Sequence, residues 1–255
     1  MITPENAFFL YRLLLAHYIA DFPLQTNRVY LLKIKGLSGG IIHSAIVAFT
    51  SAIFLLPVLP KFWPYIILLG VIHWIEDEIR VAIGRKFNLD NLWLFILDQI
   101  LHVFVSWWVL ALSKPWQYFT PPNYIVKSSG LLPDLWNYYY YNDQTIIQIM
   151  LFVIATYAGA ILFMYLETYW MPQNLCYQIG EPRQMLALAE RGVLFLLLLG
   201  GQSVVASAWI GARLLSWIFY RKKMHLYQRR QLLAVTVFNW LTVIASYEVM
   251  LWMLG

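Results

Sequence analysis

The chain has 255 residues, of which 61% are hydrophobic, 17% aromatic and only 12% charged, and its formal net charge is +5. A soluble domain carries about a quarter charged residues and needs them to cover its surface, so a soluble globular fold is excluded. No nucleic-acid-binding motif accompanies the basic residues, which excludes nucleic acid as a partner.

Apolar windows near the roughly 20 residues needed to cross a bilayer occur at 7–25, 37–56, 63–83, 92–113, 145–171, 191–219 and 231–254. They predict an all-α polytopic transmembrane helix bundle with about seven spans, because a closed barrel would show alternating segments of about ten residues. The N-terminus lacks the basic start and small-residue cleavage site of a signal peptide, so the first span is expected to stay in the mature protein. Cys176 stands alone and allows neither an intramolecular disulfide nor a thiolate cluster.

Three regions follow from the distribution of chemistry. Residues 1–113 form a four-span unit with four of the five histidines and three intramembrane aspartates. Residues 114–144 connect it to the rest, and their Pro, Tyr and Trp suit a lipid–water interface. Within them "PDLWNYYYY" reads as a short surface helix or an irregular loop. Residues 145–255 supply three further spans with few internal polar groups.

The basic loops conflict over orientation. Arg28, Lys33 and Lys35 after the first span share a face with Arg80, Arg85 and Lys86 after the third, a face that the positive-inside rule makes cytoplasmic. "YRKKMHLYQRR" (220–230) then falls on the opposite face. Either a re-entrant hairpin at Gly200–Gly201 changes the parity or a long tilted helix breaks the charge rule. The second, simpler arrangement is the expectation.

Four fragments stand out in the first region: His17-x-x-x-Asp21, His43 in "GGIIHSAI", His73-x-x-x-Asp77 in "VIHWIEDEIR", and Asp98-Gln99-x-x-His102 in "ILDQILHVF". Residues four apart lie on one face of a helix, so each pair can offer two ligands to one point. With a rise of 1.5 Å per residue, the offsets from the span ends set Asp21, His43, Asp77 and Asp98 about 9 Å below one membrane face. His17, His73 and His102 lie about 15 Å below that face. A carboxylate at membrane depth costs about 2.5–3.5 kcal/mol on insertion scales, so three together need protons, cationic side chains or a metal. Imidazole and carboxylate oxygen suit one or two divalent ions such as Zn, Mn or Fe, with Gln25 and Gln99 as outer partners that orient ligands. Pro23 ends or kinks the first helix, which bears on the placing of Gln25.

The blander readings are a core role for His43 alone and His–Asp hydrogen bonds that only tighten packing. Glu76 and Glu78 are expected to face water or headgroups, His225 to be solvated, and Arg12 to snorkel or pair with a buried acid. Arg80, with Lys33 and Lys35, is a candidate contact for an anionic substrate. Glu190–Arg191 opens the sixth span, where headgroup contact is expected, and Glu248 lies deep enough to need a partner.

"LLAHYIADFPLQT", Lys33 or Lys35, "IIHSAI", "HWIEDEIR" and "FILDQILHVF" resemble an uncharacterised family of bacterial multi-pass membrane proteins, the domain-of-unknown-function family 3307. The resemblance implies a bacterial inner-membrane location and covers the first four spans. "LAERGVLFLLLLGGQ" is a fainter likeness to that family's later span, and beyond Arg213 the sequence departs from it. The motifs are also similar to those of membrane-bound metal-dependent hydrolases, with different spacing.

Three functions fit these residues. The first is an intramembrane metal-dependent hydrolase of a lipid or lipid-linked (phospho)ester, with Asp77 and Asp98 as catalytic carboxylates and basic loops that attract anionic headgroups. The second is a divalent-metal or proton transporter, although the candidate ligands all lie toward one face and no inverted repeat is evident. The third is a non-catalytic subunit among other membrane subunits, its histidines packing or ligating pigment or haem, a role that needs no aspartate beside each histidine.

Overall fold

The computed structural model describes residues 4–87, 91–118, 139–169, 171, 182–220 and 225–254. The described residues are helical and contain no strand. By contacts the chain divides into two units, Met1–Met150 and Leu151–Gly255. Cys176 and the greater part of the aromatic connection (119–138) lie outside the described residues.

In the first unit α1 (Pro4–Asp21), α3 (Leu37–Phe54), α4 (Leu59–Phe87) and α5 (Leu92–Ser113) close a ring, for α1 packs on both α3 and α5, α3 on α4, and α4 on α5. Asn91 caps α5 by accepting from Leu94 N, and Lys114 in the left-handed region ends it. One end of the ring is filled by Phe8, Phe9, Leu13, Leu55, Phe62, Ile66, Leu69, Val109 and Leu110. Outward faces carry exposed Phe49, Trp63, Ile67, Ile75, Trp93, Ile100, Phe104 and Trp107. A continuous apolar exterior of this kind suits lipid rather than water.

Arg12 in α1 neither snorkels nor reaches the polar end of the ring. It is fully buried, donates from Nη1 to Phe8 O at 2.7 Å and to Asp143 Oδ1 at 2.6 Å, and from Nε to Tyr140 O at 3.0 Å. Nη2 also bonds Tyr140 O, and the guanidinium lies 3.3 Å from the Phe8 ring centre. Tyr140 is buried and donates its hydroxyl to Phe54 O at 2.7 Å. Tyr140, near the end of the tyrosine run, is thus packed into the apolar plug.

A short helix absent from the sequence reading, α2 (Asn27–Lys35), follows α1. Thr26 caps it by accepting from Val29 N. Its backbone lies hard against the start of α3, where a Cβ on Gly39 would stand 2.0 Å from Leu32 C and 2.1 Å from Lys33 N. This close approach presses Lys33 into the interior while leaving Arg28, Leu31, Leu32, Ile34 and Lys35 exposed.

The second unit contains the end of α6 (Asp143–Val153), a π-helical turn at Ile154–Ala158, α7 (Gly159–Glu167), α8 (Pro182–Leu199), α9 (Ser203–Tyr220) and α10 (Leu226–Leu254). The expected continuous span over 191–219 is broken. Gly201 takes φ +70°, a conformation that glycine adopts without a Cβ penalty, and α8 and α9 form a hairpin. Among the described residues, five helical stretches are long and apolar enough to cross a membrane: Leu37–Phe54, Leu56–Phe87, Leu92–Gln117, Asp143–Glu167 and Leu226–Leu254. Of the other expected spans, α1 is an 18-residue helix carrying Glu5, Arg12 and Asp21, and 191–219 is split by the hairpin.

The α2–α3 junction yields a stability contrast. Gly39→Ala drives a methyl into backbone, whereas Gly40→Ala meets only side chains, the far end of Glu78, which can move, and the Trp74 indole at 3.0 and 3.1 Å. Thermal unfolding of the full chain in detergent is expected to show Gly39→Ala destabilised by about 1–3 kcal/mol and Gly40→Ala by less.

Candidate metal centre

The polar end of the ring is assembled from one to three residues per helix. The last turn and a half of α1 presents His17 and Asp21, and α3 presents His43. α4 presents His73, Glu76 and Asp77, and α5 presents Asp98, Gln99 and His102. Because α1 and α4 end where α3 and α5 begin, antiparallel packing brings all seven sequence-predicted ligands to one place. Each i,i+4 pair holds its members at 3.4 Å: His17 Nε2–Asp21 Oδ2, His73 Nε2–Asp77 Oδ2 and His102 Nε2–Asp98 Oδ1.

Contacts between helices are equally close. His43 Nε2 lies 3.2 Å from Asp21 Oδ1 and 3.7 Å from Asp77 Oδ2. His73 Nε2 lies 3.6 Å from Asp21 Oδ1, and His102 Nε2 lies 3.8 Å from Asp77 Oδ1. The rings of His73 and His102 stack with centres 4.3 Å apart, and His17 is 5.0 Å from His102 and His43 5.0 Å from His73. All seven residues are buried, the most accessible being Asp21 at 7%.

These close atoms are not satisfied by one another. Nε2 of His17, His73 and His102, together with Asp21 Oδ1 and Asp77 Oδ2, is buried without a hydrogen-bond partner. Asp77 Oδ1 is ion-paired to Lys33 Nζ at 2.6 Å without the directionality of a hydrogen bond. Buried polar atoms are normally paired, and imidazole nitrogens gathered with carboxylate oxygens are the donor types that divalent ions accept. Four triads have ligand atoms mutually within 4.8 Å: His17–Asp21–His73, His43–His73–Asp77, His73–Glu76–His102 and Asp77–Asp98–His102. These buried groups could hold a metal ion.

Glu76 corrects the sequence reading. Expected at water or headgroups, it sits 2.8 Å from His102 Nδ1. An ionised carboxylate only accepts, so Nδ1 carries the hydrogen of this bond and Glu76 fixes the orientation of the ring, with Nε2 turned toward Asp77 and Asp98. The signal was present, since Glu76 follows His73 by three residues and so shares its face. Gln25 lies 3.2 Å from His43 Nε2, and Gln99 Nε2 donates to Asp21 Oδ2 at 3.4 Å and Asp98 Oδ2 at 3.3 Å. Of the basic candidates, Lys33 meets Asp77 and Arg80 Nη1 meets Asp98 Oδ2 at 3.4 Å. Lys35 is exposed on α2 and contributes no side-chain contact described here. With the imidazoles counted as neutral, Asp21, Glu76, Asp77 and Asp98 against Lys33 and Arg80 leave two negative charges beyond the cations that contact them.

The second unit buries a different kind of network. Arg191, expected at headgroups, is 1% exposed and donates to Thr156 O in the π turn from Nε at 3.2 Å and Nη2 at 3.0 Å, and to Asn239 Oδ1 at 2.7 Å. Glu190 accepts from Arg213, Trp209 and Asn239. Gln231 donates to the fully buried Glu167 at 2.7 Å, while Glu248 faces outward on α10. Arg191→Met removes the donor from Thr156 O and Asn239 Oδ1. Each buried acceptor left short costs about 1–3 kcal/mol, so unfolding in detergent is expected at a clearly lower temperature than for the wild type.

Residues 9–130 match the family model described as a protein of unknown function, DUF3307, an uncharacterised domain family, as the motifs of the first four helices suggested. The match contains all seven candidate ligands and Gln25, Lys33, Glu76, Arg80 and Gln99. Comparison with curated proteins and with solved structures returns no match.

Proposed function

We propose that the first unit binds one or two divalent metal ions at its His/Asp cluster and uses them to hydrolyse a lipid or lipid-linked ester, a phosphoester being the best suited. The convergence of unpartnered imidazole Nε2 and carboxylate oxygen atoms within one buried pocket carries this reading. Nitrogen and oxygen donors favour Zn, Mn or Fe, and an ion of charge two offsets the surplus negative charge of the cluster. Such an ion supplies an activated water and a Lewis acid.

The protein's own groups have distinct parts. His17, Asp21, His43 and His73 form one side of the ligand set, and Asp77, Asp98 and His102 the other. Asp77 stands between them, near His43, His73 and His102, and is the carboxylate that can bridge the two sides or take a proton from water. Asp98, held by Arg80 and Gln99, orients the same water. Arg80, Lys33 and Lys35 meet the anionic part of the substrate, the membrane lipid phase being its source. Near-complete burial of the ligands favours metal transport as the second reading, and turnover separates the two.

Elemental analysis of detergent-purified wild type is expected to return a stoichiometric divalent metal that His73→Ala and Asp98→Ala lose. Glu76→Gln keeps the ligands but not the carboxylate that orients His102, and is expected to weaken metal binding by roughly 10–100-fold. Metal-free wild type rejects the proposal.

Asp77→Ala, folded by thermal unfolding and size-exclusion criteria, is expected to lose lipid-phosphoester turnover measured in mixed micelles. Turnover equal to wild type sinks the assignment of Asp77, and absence of turnover in metal-loaded wild type against lipid-ester substrates rejects the hydrolase reading.

A further inference from the structure

Lys33 is the unusual cation of this cluster. It is a lysine 5% exposed, it comes from a short helix outside the four-helix ring, and its Nζ stands 2.6 Å from Asp77 Oδ1. The strongly hydrated ammonium of lysine is seldom fully buried unless paired, so the bond to Asp77 is what holds it there. Asp77 is also a member of two of the four ligand triads, with His43 and His73 and with Asp98 and His102. One carboxylate is therefore claimed both by an ammonium and by the ligand sets.

The two claims conflict electrostatically. An ion coordinated by Asp77 and its neighbouring imidazoles would lie within a few ångströms of Nζ, where like charges in a low-dielectric interior repel strongly. Only the side chain of Lys33 has to move for the ion pair to open. The α2 backbone is pinned by Gly39 against Leu32 and Lys33, but a four-carbon stem with rotatable bonds can carry Nζ away from Asp77. Arg80 is differently placed, since it lies on α4 itself and contacts Asp98 at the longer distance of 3.4 Å.

We infer that Lys33 is a resident counter-cation that a divalent metal exchanges for at Asp77, so that metal loading frees this ammonium to face the anionic group of the substrate. The inference rests on the metal-binding reading above and adds to it an order of events: the anion site forms as the metal site fills. No bond is made or broken other than ion pairs and coordination. Occupancy of Asp77 by Lys33 holds the pocket's charge in check before the metal arrives.

The test measures Mn²⁺ and Zn²⁺ binding to metal-stripped, full-length protein in detergent, wild type against Lys33→Met, which retains stem volume without charge. Competition for one carboxylate predicts tighter binding to the variant by roughly 5–150-fold, the usual range for coupled sites. A lysine that merely stabilises the fold predicts equal or weaker binding, and that result overturns the inference while leaving metal binding intact. If neither protein takes up metal, the metal-binding reading falls and the exchange falls with it. A second measurement needs only the wild type, so that a misfolded variant decides nothing. Amine-reactive labelling read by peptide mass spectrometry should modify Lys33 several times faster in Mn²⁺-loaded than in metal-free protein, with exposed Lys35 as the unchanging reference. Bound Mn²⁺ without faster labelling of Lys33 rejects the exchange.

Discussion

Negative charge inside an apolar bundle is the constraint around which the first unit is organised. Each intramembrane carboxylate costs a few kcal/mol unless it is compensated, and α1, α4 and α5 all bring at least one to the same end of the ring. The arrangement of the rest follows from this. Phe8, Phe9, Leu13, Phe62 and Leu110 close the opposite end, so the polar groups have one shared compartment instead of several. α2 turns back after α1 and delivers Lys33 to Asp77, while α4 supplies Arg80 to Asp98. Packing of α2 against α3 is close enough to require glycine at position 39. A small-residue turn in the sequence is thus linked, through backbone approach, to the charge balance of the pocket.

Helix geometry explains why much of this site was legible beforehand. His17–Asp21, His73–Asp77 and Asp98–His102 are local pairs, and an i,i+4 spacing determines that both members share a face whatever the tertiary structure. Equal depths from alternating span ends then implied convergence, because antiparallel neighbours bring equal depths together. What was not legible depends on contacts between distant elements. Lys33 sits on a helix too short and polar to register as a span, and its partner is 44 positions away in the chain. Glu76 looked like one of three consecutive acids at a helix end, and only the approach of α5 makes it the partner of His102. Arg12 could have met any of several acids, and its contacts to Tyr140 and Asp143 come from beyond the long connection. The break at Gly200–Gln202 was written in the sequence as a glycine pair, but hydropathy continues through it, and hydropathy dominated the reading.

A comparison of how the two units treat buried polar groups gives the cluster its meaning. The second unit buries Arg191, Glu167, Asn239 and Gln231, groups as demanding as any in the first. It satisfies them through a carbonyl of the π turn and through side chains of α7, α8 and α10. Among the described residues, every buried side-chain nitrogen or oxygen that lacks a hydrogen-bond partner belongs to the first unit, and His17, Asp21, His43, His73, Asp77, Gln99 and His102 account for most of them.

The same chain thus shows that it can complete buried networks where the network is an end in itself. If the histidines and aspartates served only to fasten α1, α3, α4 and α5 together, the same economy would be expected of them, with each imidazole nitrogen directed at an oxygen. Instead Glu76, Gln25 and Gln99 engage only some of these atoms, and Nε2 of His17, His73 and His102 stays near carboxylate oxygens without forming a hydrogen bond. Nitrogen and oxygen atoms buried without hydrogen bonds carry a desolvation cost, so a positively charged group that meets the carboxylates stabilises the pocket. Lys33 already meets part of that demand at Asp77. A divalent ion that displaced it would carry more positive charge than the ammonium it replaced, and the donor atoms around Asp77 are those that such ions accept.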